Sequence, residues 1–224
     1  WPEGLVTMGK RVAVTGTGAS GVQVSSLSLS FYSHQVKHSS EFQRTLNYAL
    51  AMQQQKLDKE IQQKSELLFP DMFRRCRQTE LIKLIFRDGY SPNRYPQPEE
   101  RLLFFEDLWT AGGWRFVTKN YMYIFLDQAA NNDEAYFSWR NEICERVHYP
   151  VMQEKLTPTS PPYPFGSNSP SLEINYYDVF NQPNMDLVDL TQCEISRFTP
   201  SGIQTADGVE HTLILPYTDS SPSS

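Results

Sequence analysis

The sequence predicts an α/β fold, a Rossmann-like nucleotide-binding sheet that carries a largely helical insertion. Three observations point there. Val12, Ala13 and Val14 form a short apolar strand that leads into a Gly-x-Gly-x-x-Gly turn. Strand-like and helix-like stretches then interleave along the chain. Finally, a Pro/Ser-rich run at 157–170 separates a helical middle from a return to strand patterns.

The glycine turn reads Gly16-Thr17-Gly18-Ala19-Ser20-Gly21-Val22-Gln23. In a dinucleotide site the first glycine permits the tight turn and the second lets the backbone approach a pyrophosphate. The third lets the helix pack close to the strand, with the phosphates on the helix N-terminus. These eight residues are therefore cofactor-binding candidates. The second strand closes on Phe42-Gln43-Arg44-Thr45. An NAD site usually ends that strand in Asp or Glu, whereas a guanidinium suits the extra phosphate of NADP. Arg44 and Thr45 join the candidate set, and NADP(H) is the expected cofactor. The plainer alternative is a surface arginine at a strand end.

The later elements follow from periodicity. Leu57, Ile61, Leu67 and Leu68 recur at roughly helical spacing, as do Leu81, Leu84 and Ile85. Asp133 is a candidate N-cap for a helix in which Tyr136, Arg140, Ile143 and Val147 share a face, stopped by Pro150. A loop is expected at 91–98. Strands are expected from Met185 to Val188 and from Glu194 to Phe198, with a final pair joined near Ala206-Asp207-Gly208. The expected organisation is 1–52 for the first part of the nucleotide domain and 53–156 for a helical insertion. Residues 157–224 form a linker and the return to that domain, with a serine-rich tail.

The formal net charge of −6 over 224 residues gives no electrostatic case for nucleic acid. No apolar run is long enough to span a membrane, and no leader pattern is present. Cys76, Cys144 and Cys193 are odd in number and widely spaced, so a reducing compartment, the cytoplasm, is expected. The opening on Trp rather than Met suggests a fragment or processed product.

At this point the residues carry a family resemblance. Trp1-Pro2-Glu3-Gly4, the Gly9-Lys10-Arg11-Val12-Ala13-Val14 strand, the glycine turn and Phe42-Gln43-Arg44-Thr45 resemble flavin-dependent Baeyer–Villiger monooxygenases, in their NADPH-binding part. Asp107-Leu108-Trp109 with Gly112-Gly113-Trp114-Arg115-Phe116 resembles that family's helical insert. Pro164-Phe165-Gly166, Tyr176-Tyr177-Asp178-Val179-Phe180-Asn181 and Asn184-Met185-Asp186-Leu187-Val188-Asp189 resemble its return into the nucleotide domain. The resemblance implies a two-dinucleotide-domain flavoprotein fold, with FAD as well as NADPH. It also implies oxygen insertion beside a ketone carbonyl to give an ester or lactone. The substrate would be a ketone, by family habit a terpenoid or polyketide intermediate.

The departures matter as much. The family's FAD module, which would precede Trp1-Pro2, is not part of this sequence, so a separate chain could supply the FAD half. The family follows Pro-Phe-Gly with Lys-Arg, the Lys for the NADP phosphate and the Arg for the oxygenated, anionic flavin. Here those positions are Asn168 and Ser169, so no catalytic residue is assigned. The segment after the glycine turn, Val24-Ser25-Ser26-Leu27-Ser28-Leu29-Ser30-Phe31-Tyr32-Ser33, is longer than the family's and rich in poor helix formers. Ser39-Ser40-Glu41 replaces an apolar start to the second strand. The expectation is therefore a truncated, impaired monooxygenase homologue, the alternative being a non-catalytic NADP-binding or scaffold remnant.

Other chemistry is thin. His34 and His38 lack a third ligand fixed by motif, and no metal site is assigned. Asp186 with Asp189 and Asp133 with Glu134 read as strand-end and helix-start charges. His148 and His211 read as ordinary histidines. Trp109, Trp114 and Trp139 could line a ketone pocket but read first as core.

Overall fold

The computed structural model describes residues 8–32, 36–54, 56–78, 98–119 and 131–213. In chain order the elements are β1 (Arg11–Thr15), α1 (Ala19–Tyr32), β2 (His38–Gln43), β3 (Leu50–Ala51), α2 (Lys59–Glu66) and α3 (Phe69–Gln78). There follow α4 (Pro98–Ala111), α5 (Arg115–Thr118), α6 (Asn131–Arg146) and α7 (Pro150–Leu156). The last part holds β4 (Leu172–Glu173), a 3-10 turn (Asp178–Asn181), β5 (Met185–Asp189), β6 (Ile195–Thr199), β7 (Gly202–Thr205) and β8 (Glu210–Thr212). Trp1-Pro2-Glu3-Gly4, the helix expected around Leu81 and most of the 91–98 loop lie outside the described residues. Pro98, placed in that loop by sequence, instead opens α4, where its fixed φ suits the first helical position.

The chain divides into two compact units. The first draws on Trp1–Ala49, Glu142–Ser160 and Asn175–Ser224. The second draws on Leu50–Asn141 and Pro161–Ile174. The 142–160 stretch thus groups with the first unit rather than with the helical middle.

The first unit is built on a parallel sheet of order β1-β2-β5. Val14 of β1 and Leu187 of β5 both lie in register with Glu41 of β2. Parallel neighbours need a crossover, and α1 supplies it between β1 and β2. Side chains alternate across β2, so Ser39, Glu41 and Gln43 share one face and Ser40 and Phe42 the other. Phe42 packs with Ile203 and Leu213, and with Ala13, Val188, Leu190 and Ile195 around them. Ile203 lies on β7, the middle strand of the antiparallel β6-β7-β8 sheet. The strands expected around 185–188, 194–198 and the Ala206-Asp207-Gly208 turn are all present.

The second unit is held by rings. Phe105, Phe116, Phe165, Trp139 and Tyr136 form a chain with centroids 5.5 to 6.4 Å apart. All five are at most 2% exposed. Arg101 of α4 grips Glu134 of α6 with two hydrogen bonds of 2.6 and 2.7 Å. Asp133 and Glu134 lie in the first turn of α6, where carboxylates suit the helix N-terminus. The short β3 and β4 pair in parallel, a contact for which the sequence carries no pattern.

Candidate functional site

The glycine turn takes its shape from two steric demands. Gly16 has φ of +93°, a left-handed value that a side chain resists, and its N–H donates to the Phe42 carbonyl at 2.9 Å. Gly21 meets a harder limit, because a Cβ there would stand 1.9 Å from the Gly16 carbonyl oxygen. Helix α1 is therefore seated directly on the turn, which only a glycine allows.

Gly18 is different: its φ is ordinary and a Cβ would meet nothing within 4 Å. Space thus lies open at the middle glycine, and Gly16, Gly18, Ala19 and Ser20 are exposed. No acidic side chain occupies the first turn of α1. Exposed backbone amides at a helix start suit a phosphate.

Thr17 is 3% exposed, and its hydroxyl donates to the Thr45 carbonyl at 2.6 Å. That bond ties the glycine turn to the end of β2, where Arg44 and Thr45 are themselves exposed. The sequence candidates Gly16 to Ser20, Arg44 and Thr45 are thus brought to one rim. Gln23 is exposed on α1. Val22 is fully buried, and its N–H is spent on the Gly18 carbonyl at 3.0 Å. Its place is in the packing under the rim.

Against α1 lies a buried polar group that motif reading missed. Glu41 is 0% exposed; Ser25 Oγ donates to its Oε2 at 2.9 Å and the Tyr176 hydroxyl to its Oε1 at 2.8 Å. Burial pushes its pKa up to about 7, with the Tyr176 and Ser25 hydroxyls pulling the other way. The signal available in sequence was the charge in an otherwise strand-like run. Its partners stand 16 residues earlier and 135 later.

The remaining candidates resolve as structure. His38 Nε2 lies 2.9 Å from Asp186 Oδ2, while His34 lies outside the described residues. Asp189 accepts from the backbone and hydroxyl of Thr191, a local turn closure. Trp109 and Trp139 belong to the aromatic core of the second unit, and Trp114 is 46% exposed. Asn168 and Ser169 are exposed in the second unit, just past the Phe165-Gly166 turn.

No protein-family model matches the chain. It is 38% identical to cyclopentanone 1,2-monooxygenase of Comamonas sp. (strain NCIMB 9872) over 221 residues, covering 96% of this chain and 38% of the relative. The chain matches one segment of the Baeyer–Villiger monooxygenases. The protein so named from Pseudooceanicola batsensis is 31% identical, with 95% of this chain and 37% of its own length covered. Among solved structures, OTEMO in complex with FAD and NADP superposes with a TM-score of 0.82 at 30% identity, covering 95% of this chain and 38% of that one. An open cyclohexanone monooxygenase gives 0.78 at 28% identity, with 95% and 40% covered. The chain thus spans little more than a third of the length of these Baeyer–Villiger relatives. Its mixed helices and strands agree with their Rossmann-type fold. Among the described residues, no helix is long and apolar enough to cross a membrane.

Proposed function

We propose that this chain is the NADP(H)-binding segment of a FAD-dependent Baeyer–Villiger monooxygenase. The first unit would form the nucleotide domain and the second the helical insertion. The observation that carries the reading is the glycine turn: Gly21 pressed onto the Gly16 carbonyl, with open space left at Gly18. The backbone amides of residues 16–20 would hold the pyrophosphate. Arg44 and Thr45 would take the phosphate on the adenosine ribose, with Arg44 as a planar, permanently charged partner. NADPH, when bound, supplies a hydride. This chain's residues bind and orient it.

The substrate proposed is a ketone, in keeping with the cyclopentanone and cyclohexanone of two relatives' names. Oxygen insertion would need a FAD-binding part, from a longer form of this chain or from a separate chain. Asn168 and Ser169 bring no positive charge to positions where the family resemblance places Lys and Arg. Losing a fixed charge at a developing anion costs several kcal/mol of barrier, so impaired oxygenation is the reading proposed. A non-catalytic NADP-binding remnant remains the second reading, supported by the same pair. The three free cysteines fit a reducing compartment, and the cytoplasm is the proposed location.

Titration of the protein with NADP and NAD, followed by tryptophan fluorescence, tests the site. NADP should bind the tighter, and Arg44→Ala should weaken NADP about tenfold while leaving NAD nearly unchanged. Equal loss of both nucleotides would remove Arg44 from the phosphate. A flavin spectrum with ketone-stimulated NADPH consumption would overturn the impaired reading.

A further inference from the structure

Glu41 bridges two elements from the middle of a parallel sheet. Its carboxyl group meets Ser25 of α1 on one oxygen and Tyr176 on the other. Val14 and Leu187 flank it in register on the neighbouring strands. Among the described residues no cation pairs with it. His38 is paired with Asp186, Arg146 with Asp178, and Lys155 Nζ donates to the Leu187 carbonyl. The titratable group facing it is therefore the Tyr176 phenol, with the Ser25 hydroxyl beside it.

We propose, taking the glycine turn as the NADP site, that the proton on Glu41 controls how α1 seats on the sheet and so how tightly the turn holds NADP. As a neutral acid, Glu41 can donate to one hydroxyl and accept from the other, which satisfies the cluster without charge. Ser25 can then turn its own proton to a helix carbonyl, as Ser26 does to Val22 at 2.7 Å. Ionised, the group becomes a buried anion supported by two hydroxyls alone. Admitting water to it means lifting α1 from β2. Because Gly21 is already in contact with the Gly16 carbonyl, α1 cannot lift without moving the turn. A negative charge under the helix also opposes the ligand's phosphates. Both effects have one sign: binding weakens as pH rises through neutrality, and NADP binding near pH 7 draws a proton from buffer onto Glu41. The raised carboxyl pKa of about 7 places the transition in that window.

The experiment measures NADP affinity and amide exchange of α1 on the full chain from pH 5.5 to 8.5, beside Glu41→Gln. The variant keeps the shape and removes the titration, so it also subtracts the titration of the nucleotide's own phosphate. Wild-type Kd should rise roughly five- to tenfold relative to the variant across this range, and α1 exchange should quicken in the wild type alone. Ser25→Ala removes a donor to the ionised form and should move the wild-type midpoint upward, which keeps a test if Glu41→Gln does not fold. Identical pH profiles in wild type and Glu41→Gln overturn the coupling. If neither protein binds NADP at any pH, the assigned function falls. Exchange then decides the seating of α1: pH-independent exchange overturns it, and quickening in the wild type alone supports it.

Discussion

The two units bury different mixtures of side chains. The second is dominated by aromatic rings, with Trp139 and Phe116 at the joints of a continuous chain, beside which it buries Ser171 and Glu173. The first buries Phe42 on one face of β2, but on the other it buries Ser25, Ser39, Glu41 and Gln43. A ring cluster owes its stability to area removed from water and to edge-to-face contact, neither of which titrates. A polar interior owes it to hydrogen bonds that must all be made, and its energy depends on protonation. The polar face meets α1, the helix that begins at the glycine turn. Among the described residues the carboxyl whose pKa burial raises, Glu41, thus lies under the helix that leads from the proposed nucleotide turn.

The sharpest way to break this contrast is to damage each interior and follow stability against pH. Trp139→Ala should cost about 4 kcal/mol, the usual range for a large aromatic removed from a core. Thermal melts from pH 5 to 8.5 should show that loss as constant. A loss that changes with pH would contradict the assignment of a non-titrating core.

Glu41→Gln should act the other way and only in part of the pH range. The folded carboxyl holds its proton up to a pKa of about 7, against an ordinary value of 4.5. Between these values the unfolded chain has released the proton and the folded chain retains it, so wild-type stability falls as pH rises from about 4.5 to 7 and is level above. The variant should therefore be more stable than wild type by about 3 kcal/mol at pH 8 and nearly equal to it below pH 4.5. A constant difference across pH would show that Glu41 is not titrating in the fold.

Gly21→Ala tests the steric seat rather than the charge. The added methyl group meets a backbone carbonyl, so α1 must shift at a cost of about 2–3 kcal/mol, with NADP affinity lost. Unchanged affinity in a calorimetric titration would detach the site from the turn. The smallest effect is expected at Ser39, whose buried hydroxyl finds no partner among the described residues. Ser39→Ala should stabilise by about 1 kcal/mol in denaturant titration, because an unmet donor leaves the interior.

Legibility divides along the same line. Gly16 and Gly21 could be read from spacing, because only glycine accepts a left-handed φ or a backbone carbonyl at contact distance. The face shared by Tyr136, Arg140, Ile143 and Val147 was equally plain, and all but the half-buried Arg140 are fully buried. Of Leu57, Ile61, Leu67 and Leu68, expected on a helix, only Ile61 lies within one, the others falling just before or after α2, and all four are exposed. Periodicity reports which side of a helix is apolar but not whether anything covers it. The pairing of β3 with β4 was invisible, since two-residue strands 122 positions apart carry no pattern of their own.

By itself the sequence determined the glycine turn, the kinship with the Baeyer–Villiger enzymes and the uncharged pair Asn168-Ser169 on which the impaired reading is proposed. These are local matters, written in residue type at fixed spacing. Only the tertiary structure decided what Glu41 means. Read alone it is a charge misplaced in a strand. Folded, it is the buried link between α1 and Tyr176, because three strands and a helix exclude water from it and bring two hydroxyls from distant parts of the chain within reach. Burial and protonation belong to such assembled neighbourhoods, and no stretch of sequence contains them.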